Sequence, residues 1–169
     1  MGSYLTENIL NCPRCTAKLD QKSDFASCGG CNFTYYQNPA PCTTLLIYEK
    51  GRVLLAKRAI EPRKNYWDLP GGFIDLNESA EEGALREGIE ETGLKLEITN
   101  YLGSDHDIYG ETKVPTLNFF FKVKIIEGEP KAQDDVSELK WFDLDNLPSE
   151  DQFAFANDIT GIDLLKKKA

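Results

Sequence analysis

Residues 72–94, GFIDLNESAEEGALREGIEETGL, leave the chain little choice of local structure. Ser79 and Glu82 stand at capping-box spacing, which starts a helix near Ala80. Gly93 suits a left-handed cap that stops the helix after Thr92. At about 100° per residue, Glu87, Glu90 and Glu91 (i, i+3, i+4) fall on one side, and Leu85, Gly88, Ile89 and Thr92 on another. The second face predicts packing on the body of the protein. The first gathers three carboxylates, which repel one another unless a cation sits among them. Oxygen donors of that kind suit hard ions such as Mg²⁺ or Mn²⁺. Arg86 is placed to pair with Glu90 or Glu82 without neutralising the whole cluster. A Glu-rich helix is more often a plain solvated face. Two details count against that here: few cations stand at i+4 to offset the acids, and Trp67-Asp-Leu-Pro-Gly-Gly leads into the segment, bringing backbone close to it.

The segment resembles the Nudix box, G-x5-E-x7-R-E-U-x-E-E-x-G-U with U a bulky aliphatic. Gly72, Glu78, Arg86, Glu87, Glu90, Glu91, Gly93 and Leu94 match it in type and spacing. One position departs: Gly88 stands where the first aliphatic belongs, on the apolar face, where glycine costs roughly 1 kcal/mol of helix stability against alanine. The resemblance implies an α/β fold, an α/β/α sandwich around a mixed sheet. It also implies metal-dependent hydrolysis of a nucleoside diphosphate linked to another group. By match to the family, Glu87, Glu90 and Glu91 hold the catalytic Mg²⁺ or Mn²⁺, with the Gly71 carbonyl as a backbone ligand. Glu78 and Arg86 orient those carboxylates. Glu138, in SELKWF, matches a downstream glutamate that adds a metal ligand or base. Glu90, Glu138 or a loop aspartate, Asp134 or Asp135, is then the general base. Arg58, at a strand end, could meet phosphate, against the reading of a surface charge. Tyr109 and Tyr66 could stack a base, against the commoner reading of aromatic core.

Upstream, Cys12-Pro-Arg-Cys15 and Cys28-Gly-Gly-Cys31 make C-x2-C-x12-C-x2-C, two knuckles that each clamp one side of a tetrahedral ion. Gly29 and Gly30 are read as permitting the second tight turn. Zinc is the default ion, with rubredoxin-type iron and a pair of disulfides as alternatives. A four-thiolate site is closed and therefore structural, and a segment this short needs the ion to fold. Cys42 reads as a buried free thiol. The aromatic, then Pro-rich, FTYYQNPAP closes the module. This gives residues 1–36 as the ribbon, 37–41 as linker and 42–169 as the Nudix domain. Ribbon, linker and box together resemble NADH pyrophosphatases and other zinc-ribbon Nudix proteins over residues 12 to about 148. The SQPWPFPxS motif of NADH pyrophosphatases is absent; GSDHDIYGETKVPTLNF stands in its place. Pro115 lies 21 residues past Leu94, farther than is usual in ADP-ribose hydrolases. A dinucleotide or nucleotide sugar (ADP-ribose, NADH or FAD class) is the expected substrate.

The formal charge of −9 is uneven: residues 1–41 carry three basic and three acidic side chains, the remainder 16 against 25. Such a surface disfavours broad contact with nucleic-acid phosphates, while a small phosphorylated substrate can bind through metal ions. The single His106 argues against a His-based zinc hydrolase. Without a signal peptide or a membrane-length apolar run, the expectation is a cytoplasmic protein with no membrane partner. Met1-Gly2 with Thr6 fits the bare myristoylation pattern, too short a signal to carry an expectation. A homodimer contact through the ribbon is a further expectation. The rivals to the enzyme are a non-catalytic Nudix-fold nucleotide sensor and a zinc-ribbon protein that binds nucleic acid. The intact acid set disfavours the sensor, and the acidic charge disfavours the nucleic-acid binder.

For the rest, CTTLLIYE and RVLLAKR flank Lys50-Gly51 as a hairpin. Leu96–Leu102, Leu117–Ile126 and Glu138–Phe142 read as strands, Asp105–Pro115 as a loop, and Asp158–Lys168 as a closing helix.

Overall fold

Lys50 and Gly51, both at positive φ, turn the chain between β4 (Ala40–Glu49) and β5 (Arg52–Arg58). Tyr48 then faces Val53 and Glu49 faces Arg52, the hairpin its sequence predicts. The computed structural model that carries this hairpin describes residues 9–22, 25–36, 38–110 and 114–168, so the myristoylation pattern lies outside it. The chain divides into two compact units between Pro39 and Ala40.

In the second unit a mixed seven-stranded sheet follows the path β10-β5-β4-β9-β8, where β8 is Lys95–Tyr109, β9 Val114–Glu127 and β10 Val136–Asp143. The short strands β6 (Trp67–Asp68) and β7 (Gly71–Phe73) pair with β5 and β4 off that path. Among the described residues β4 and β9 run parallel, and the other strand pairs of this sheet are antiparallel. Alternation along β4 assigns the two faces. Leu45 and Ile47 pack with Ala84, Leu94, Leu96 and Val123 under helix α1 (Ala80–Thr92). Leu46 packs with Phe120, Leu102, Ile162 and Leu165 under helix α2 (Ala156–Lys168). The result is the expected α/β/α sandwich. Among the described residues no helix is long and apolar enough to cross a membrane.

Both ends of α1 form as its sequence predicts: Ser79 and Glu82 make a full capping box, and Gly93 caps at φ 68° with its N–H donated to the Ile89 carbonyl. Its buried face differs from the expected one. Ile89 is exposed, while Gly83, Ala84, Gly88, Thr92 and Glu91 are buried, so the helix turns one of its acids inward. The glycine at the aliphatic box position has a local reason. A Cβ on Gly88 would stand 2.6 Å from Leu96 Cδ1 and 2.9 Å from Leu45 Cδ1, so those leucines already fill the space. Gly88→Val is therefore expected to destabilise the protein by about 1–3 kcal/mol through overpacking. Gly88→Ala should cost less, because its gain of about 1 kcal/mol in helix propensity offsets the crowding. Urea denaturation of both variants checks this, and a Val variant as stable as the parent would contradict it.

The expected loop at Asp105–Pro115 is a strand at both ends. β8 continues to Tyr109 and pairs with β9 through Tyr109↔Val114. The aspartates that read as loop have partners across the fold: Asp105 Oδ2 accepts from Thr160 Oγ1, and Asp107 Oδ2 from the Asn157 backbone N–H. They tie the end of β8 to the start of α2.

In the first unit, β1 (Asp20–Gln21), β2 (Phe25–Ser27) and β3 (Thr34–Tyr36) form a three-stranded antiparallel sheet. Its core is Cys12, Leu19, Ala26 and Cys28 with Ile9, Ala17, Phe33 and Tyr35 against them. The left-handed positions fall at Thr16 and Asn32, one residue past each knuckle, and not at Gly29 or Gly30. A Cβ on Gly29 would meet nothing within 4 Å, so the second knuckle does not depend on that glycine.

Candidate active site

Gly71 and Gly72 begin the site. Gly71 sits at φ 151°, and a Cβ there would stand 2.1 Å from the Thr43 carbonyl oxygen, so only glycine lets β7 lie this close to β4. The Gly71 N–H then donates to Glu91 Oε2 at 2.8 Å. That bond fixes one oxygen of the acid that α1 turns inward. At Gly72 a Cβ would meet the Glu87 carboxylate at 2.5 Å. The double glycine thus brings backbone against two of the three expected metal ligands.

Arg86 organises the outer acids. Its Nε and Nη2 donate to the two oxygens of Glu78, its Nη1 to both Glu87 and Glu90, and its Nη2 also to the Phe73 carbonyl. This is more than the single partner its sequence position suggests, because a guanidinium carries five donors in a fixed fork. Glu82 is not among them, being committed to the Ser79 cap. The Glu78 bonds hold Arg86 above the usual guanidinium range and, in return, Glu78 below the usual carboxylate range.

A cavity of about 270 Å³ opens beside the helix, lined by Glu87 and Glu91 but not by Glu90, which is half-exposed and turned to Arg86. Among the described residues, eight carboxylates and one cation, Arg58, line it. Burial pushes the Glu91 carboxyl well above its ordinary value, and the charges of Asp68, Asp135 and Glu87 add to the shift against the opposing Gly71 bond. Glu87 is also raised by burial, in spite of Arg86. Asp158, 1% exposed, is raised by burial and by the charge of Asp68, with which it shares a hydrogen bond. Such a wall binds protons or cations. Cys42 is a buried free thiol on the same wall, pushed up to about 12 by burial and by Glu87.

Arg58 and Tyr109 are brought together. Arg58 donates to Asp68 Oδ2 at 2.9 Å, to the Pro62 carbonyl and to the Tyr109 hydroxyl, and lies 5.2 Å over the Phe155 ring. Tyr109 stacks on Phe155 at 5.5 Å and meets Phe73 edge-on. Arg58 is therefore braced in the wall, not loose at the surface. Tyr66 lies apart, in a neighbouring groove under Arg63. Glu138 also lies apart: half-exposed, it pairs with Lys57 at 3.6 Å, and the cavity wall contains Asp134 and Asp135 instead. Asp68, Phe155, Asn157 and Asp158 complete the wall without having been singled out by the sequence. No local pattern joins β6 to the start of α2, some 90 residues on; the Leu69 N–H to Asp158 Oδ1 bond does.

The four thiols of the first unit lie within 4.8 Å of one another, with Cys12–Cys31 at 3.6 Å and Cys15–Cys28 at 3.4 Å. A tetrahedral Zn–S distance of about 2.3 Å sets sulfurs roughly 3.8 Å apart, whereas a disulfide needs about 2.05 Å. The donor set fits zinc, as a small zinc ribbon requires.

A NUDIX domain model matches residues 39–160. An ADP-ribose pyrophosphatase of Methanocaldococcus jannaschii is 34% identical over 135 residues, covering 80% of this chain and 77% of the relative. The NAD-capped RNA hydrolase NudC of Vibrio vulnificus is 26% identical over 148 residues, 86% of this chain, which spans only 55% of that protein. Among solved structures, a NUDIX hydrolase from Nitrosomonas europaea superposes with a TM-score of 0.75 at 25% identity, over 94% of this chain and 89% of its own. The family match takes in the glycine strand, the acid helix and the far wall of the cavity alike, and on that match the chain belongs to the NUDIX domain family.

Proposed function

We propose that the chain is a divalent-metal-dependent pyrophosphohydrolase. It would cleave the diphosphate bond of a nucleoside diphosphate linked to another group, with the ADP-ribose, NADH or FAD class preferred. The observation that carries this reading is the buried Glu91, fixed by Gly71 in an acid-lined cavity that Glu87 shares. Carboxylate oxygens are the donor type that suits hard ions such as Mg²⁺ or Mn²⁺. Glu87, Glu90, Glu91 and the Gly71 carbonyl would hold the ions, which when bound lower the pKa of water and offset charge on the diphosphate. Arg86 keeps Glu87 and Glu90 side by side, and Glu78 holds Arg86 in place. Tyr109 and Phe155 offer ring faces to a base. Thr43 Oγ1 and Asn157 Oδ1, both buried in the wall, have no protein partner among the described residues, and a polar ligand would supply one. The name of the Methanocaldococcus relative, an ADP-ribose pyrophosphatase, supports the diphosphate class. The cavity lies just below the usual 300–1,000 Å³ or so of small-molecule sites, so a dinucleotide would extend past its mouth. A panel of ADP-ribose, NADH, FAD and nucleoside triphosphates with Mg²⁺ or Mn²⁺ tests the class. Preference for the first three is expected, and preference for triphosphates would overturn the assignment.

The acids give the metal a pH signature. Glu91 and Glu87 have folded-state pKa values above their ordinary 4.5, so between that value and the raised ones the folded chain binds more protons than the unfolded one. Their contribution to stability is full below the unfolded pKa and is lost as pH rises through the folded pKa. Without metal, the contribution of these two groups to the melting temperature is expected to fall across that window. Mn²⁺ should raise the melting temperature more at the top of the window than at the bottom. Melting curves with and without Mn²⁺ check this, and a pH-independent increment would contradict it.

A further inference from the structure

The acid-lined cavity opens into a larger groove of about 980 Å³. Phe155, Ile108 and Asp107 line both and form the seam, where Ile108 is 57% exposed. The far wall of the groove is the segment 61–66, and Arg58, which also lines the cavity, holds that segment in shape. The Arg58 N–H donates to the Tyr66 carbonyl at 3.0 Å, and its carbonyl accepts from the Asn65 N–H at 2.9 Å. Its Nε donates to the Pro62 carbonyl at 2.8 Å. The Tyr66 N–H closes the turn on the Arg63 carbonyl at 3.1 Å. Arg63 and Asn65 stand at φ 65° and 70°, a region that disfavours side chains and persists where neighbours impose it. From the other side, a Cβ on Gly110 would stand 2.7 Å from Pro62 Cβ, so the segment packs on the residue that follows β8. The groove is therefore built before any ligand arrives.

Its chemistry differs from that of the cavity. The acids of the groove are engaged: Glu61 Oε2 accepts from the Lys64 N–H at 3.4 Å, and Asp107 Oδ2 from the Asn157 N–H. Arg63 and Lys64 are exposed, and the Arg63 guanidinium lies 5.6 Å over the Tyr66 ring. A guanidinium plane on an aromatic ring is a flat, positively charged surface of the kind on which a heteroaromatic base stacks. At about 270 Å³ the cavity is smaller than the roughly 300–1,000 Å³ of sites that enclose a small molecule, so a dinucleotide must place one half outside it. We propose that the groove receives the second nucleoside of a dinucleotide, stacked on the Arg63–Tyr66 pair, and that these two residues favour dinucleotides over ADP-ribose. The assignment rests on the diphosphate reading above and narrows it. ADP-ribose ends on one side in a bare ribose, which has no ring to lay on the pair.

The test is steady-state cleavage of NADH and of ADP-ribose with Mg²⁺ by the full chain and by Arg63→Ala, Tyr66→Leu and Tyr66→Phe. The parent is expected to show a lower KM for NADH than for ADP-ribose. Arg63→Ala and Tyr66→Leu should raise the NADH KM about tenfold, the scale of one lost base–aromatic stack. Their kcat should stay within about twofold, the mark of lost binding rather than lost chemistry. Tyr66→Phe keeps the ring and should behave as the parent, and no variant should change the constants for ADP-ribose. An unchanged NADH KM in Arg63→Ala and Tyr66→Leu, an equal loss on both substrates, or a lower parent KM for ADP-ribose would overturn the groove assignment and leave the diphosphate reading standing. If the parent cleaves neither substrate, the enzymatic reading fails, and NADH binding decides the groove, read by the anisotropy of its own fluorescence. Binding about tenfold weaker in Tyr66→Leu upholds the groove, and parent-like binding in that variant, or no binding by the parent, overturns it.

Discussion

Glu91→Gln is expected to lose activity by about 10²–10³-fold while raising the melting temperature of the metal-free protein by several degrees. Two effects of one residue act in opposite directions. The carboxylate is buried, lies among the charges of Asp68, Asp135 and Glu87, and receives one backbone N–H in compensation. Glutamine removes the buried charge and can still accept the Gly71 N–H through its amide oxygen, so the fold gains. On the proposed function the same exchange would remove an anionic ligand for the cation that offsets charge at the diphosphate, and losses of this order follow from removing one electrostatic element of a site. A functional acid that destabilises its own fold is a recurrent trade-off. Steady-state kinetics and thermal melting on one preparation check both halves. A variant that is both inactive and less stable would show that Glu91 is structural instead.

Cys28→Ser is expected to unfold the first unit and leave the second intact. Among the described residues, the core of that unit is four buried side chains, two of them cysteines, with a handful of half-buried neighbours. A segment of this size does not bury enough apolar area to order itself. Structural zinc in small modules contributes roughly 10–16 kcal/mol at neutral pH, so losing one thiolate removes most of what folds it. The second unit has its own two cores, on the two faces of its sheet. In amide spectra, residues 9–36 are expected to collapse to unfolded positions while α1 and α2 keep theirs. The same change should follow strong zinc chelation. Unchanged dispersion of residues 9–36 after chelation would remove the ion from the account.

What could be read from the sequence was local. The β4–β5 hairpin, the capped ends of α1 and the paired knuckles each depend on residues within a few positions of one another, and each formed. The strand in residues 105–109 was hidden because its aspartates are satisfied by α2, not by their own neighbours. β6 and β7 are two and three residues long, too short to show a period. Ile89 fits an apolar face on a helical wheel, yet the helix turns toward Glu91 because β7 offers that acid a donor. Glu138 follows a bulged residue and stands turned to Lys57, outside the cavity lining. In a strand, one extra residue exchanges the two faces, and spacing alone does not reveal it. The far wall of the cavity needs β6, β8 and the start of α2 together, and only the folded chain brings them there.

The central claim is that the acids of α1 serve metal-dependent cleavage of a diphosphate. Phosphorus NMR of ADP-ribose incubated with the chain tests it most directly, with Mg²⁺ in one sample and chelator in the other. The account predicts that with Mg²⁺ the two diphosphate resonances give way to two monophosphate resonances, that chelator prevents this, and that Glu91→Gln slows it as above. Diphosphate resonances that persist with Mg²⁺ across ADP-ribose, NADH and FAD, or cleavage that proceeds equally well in chelator, would contradict it.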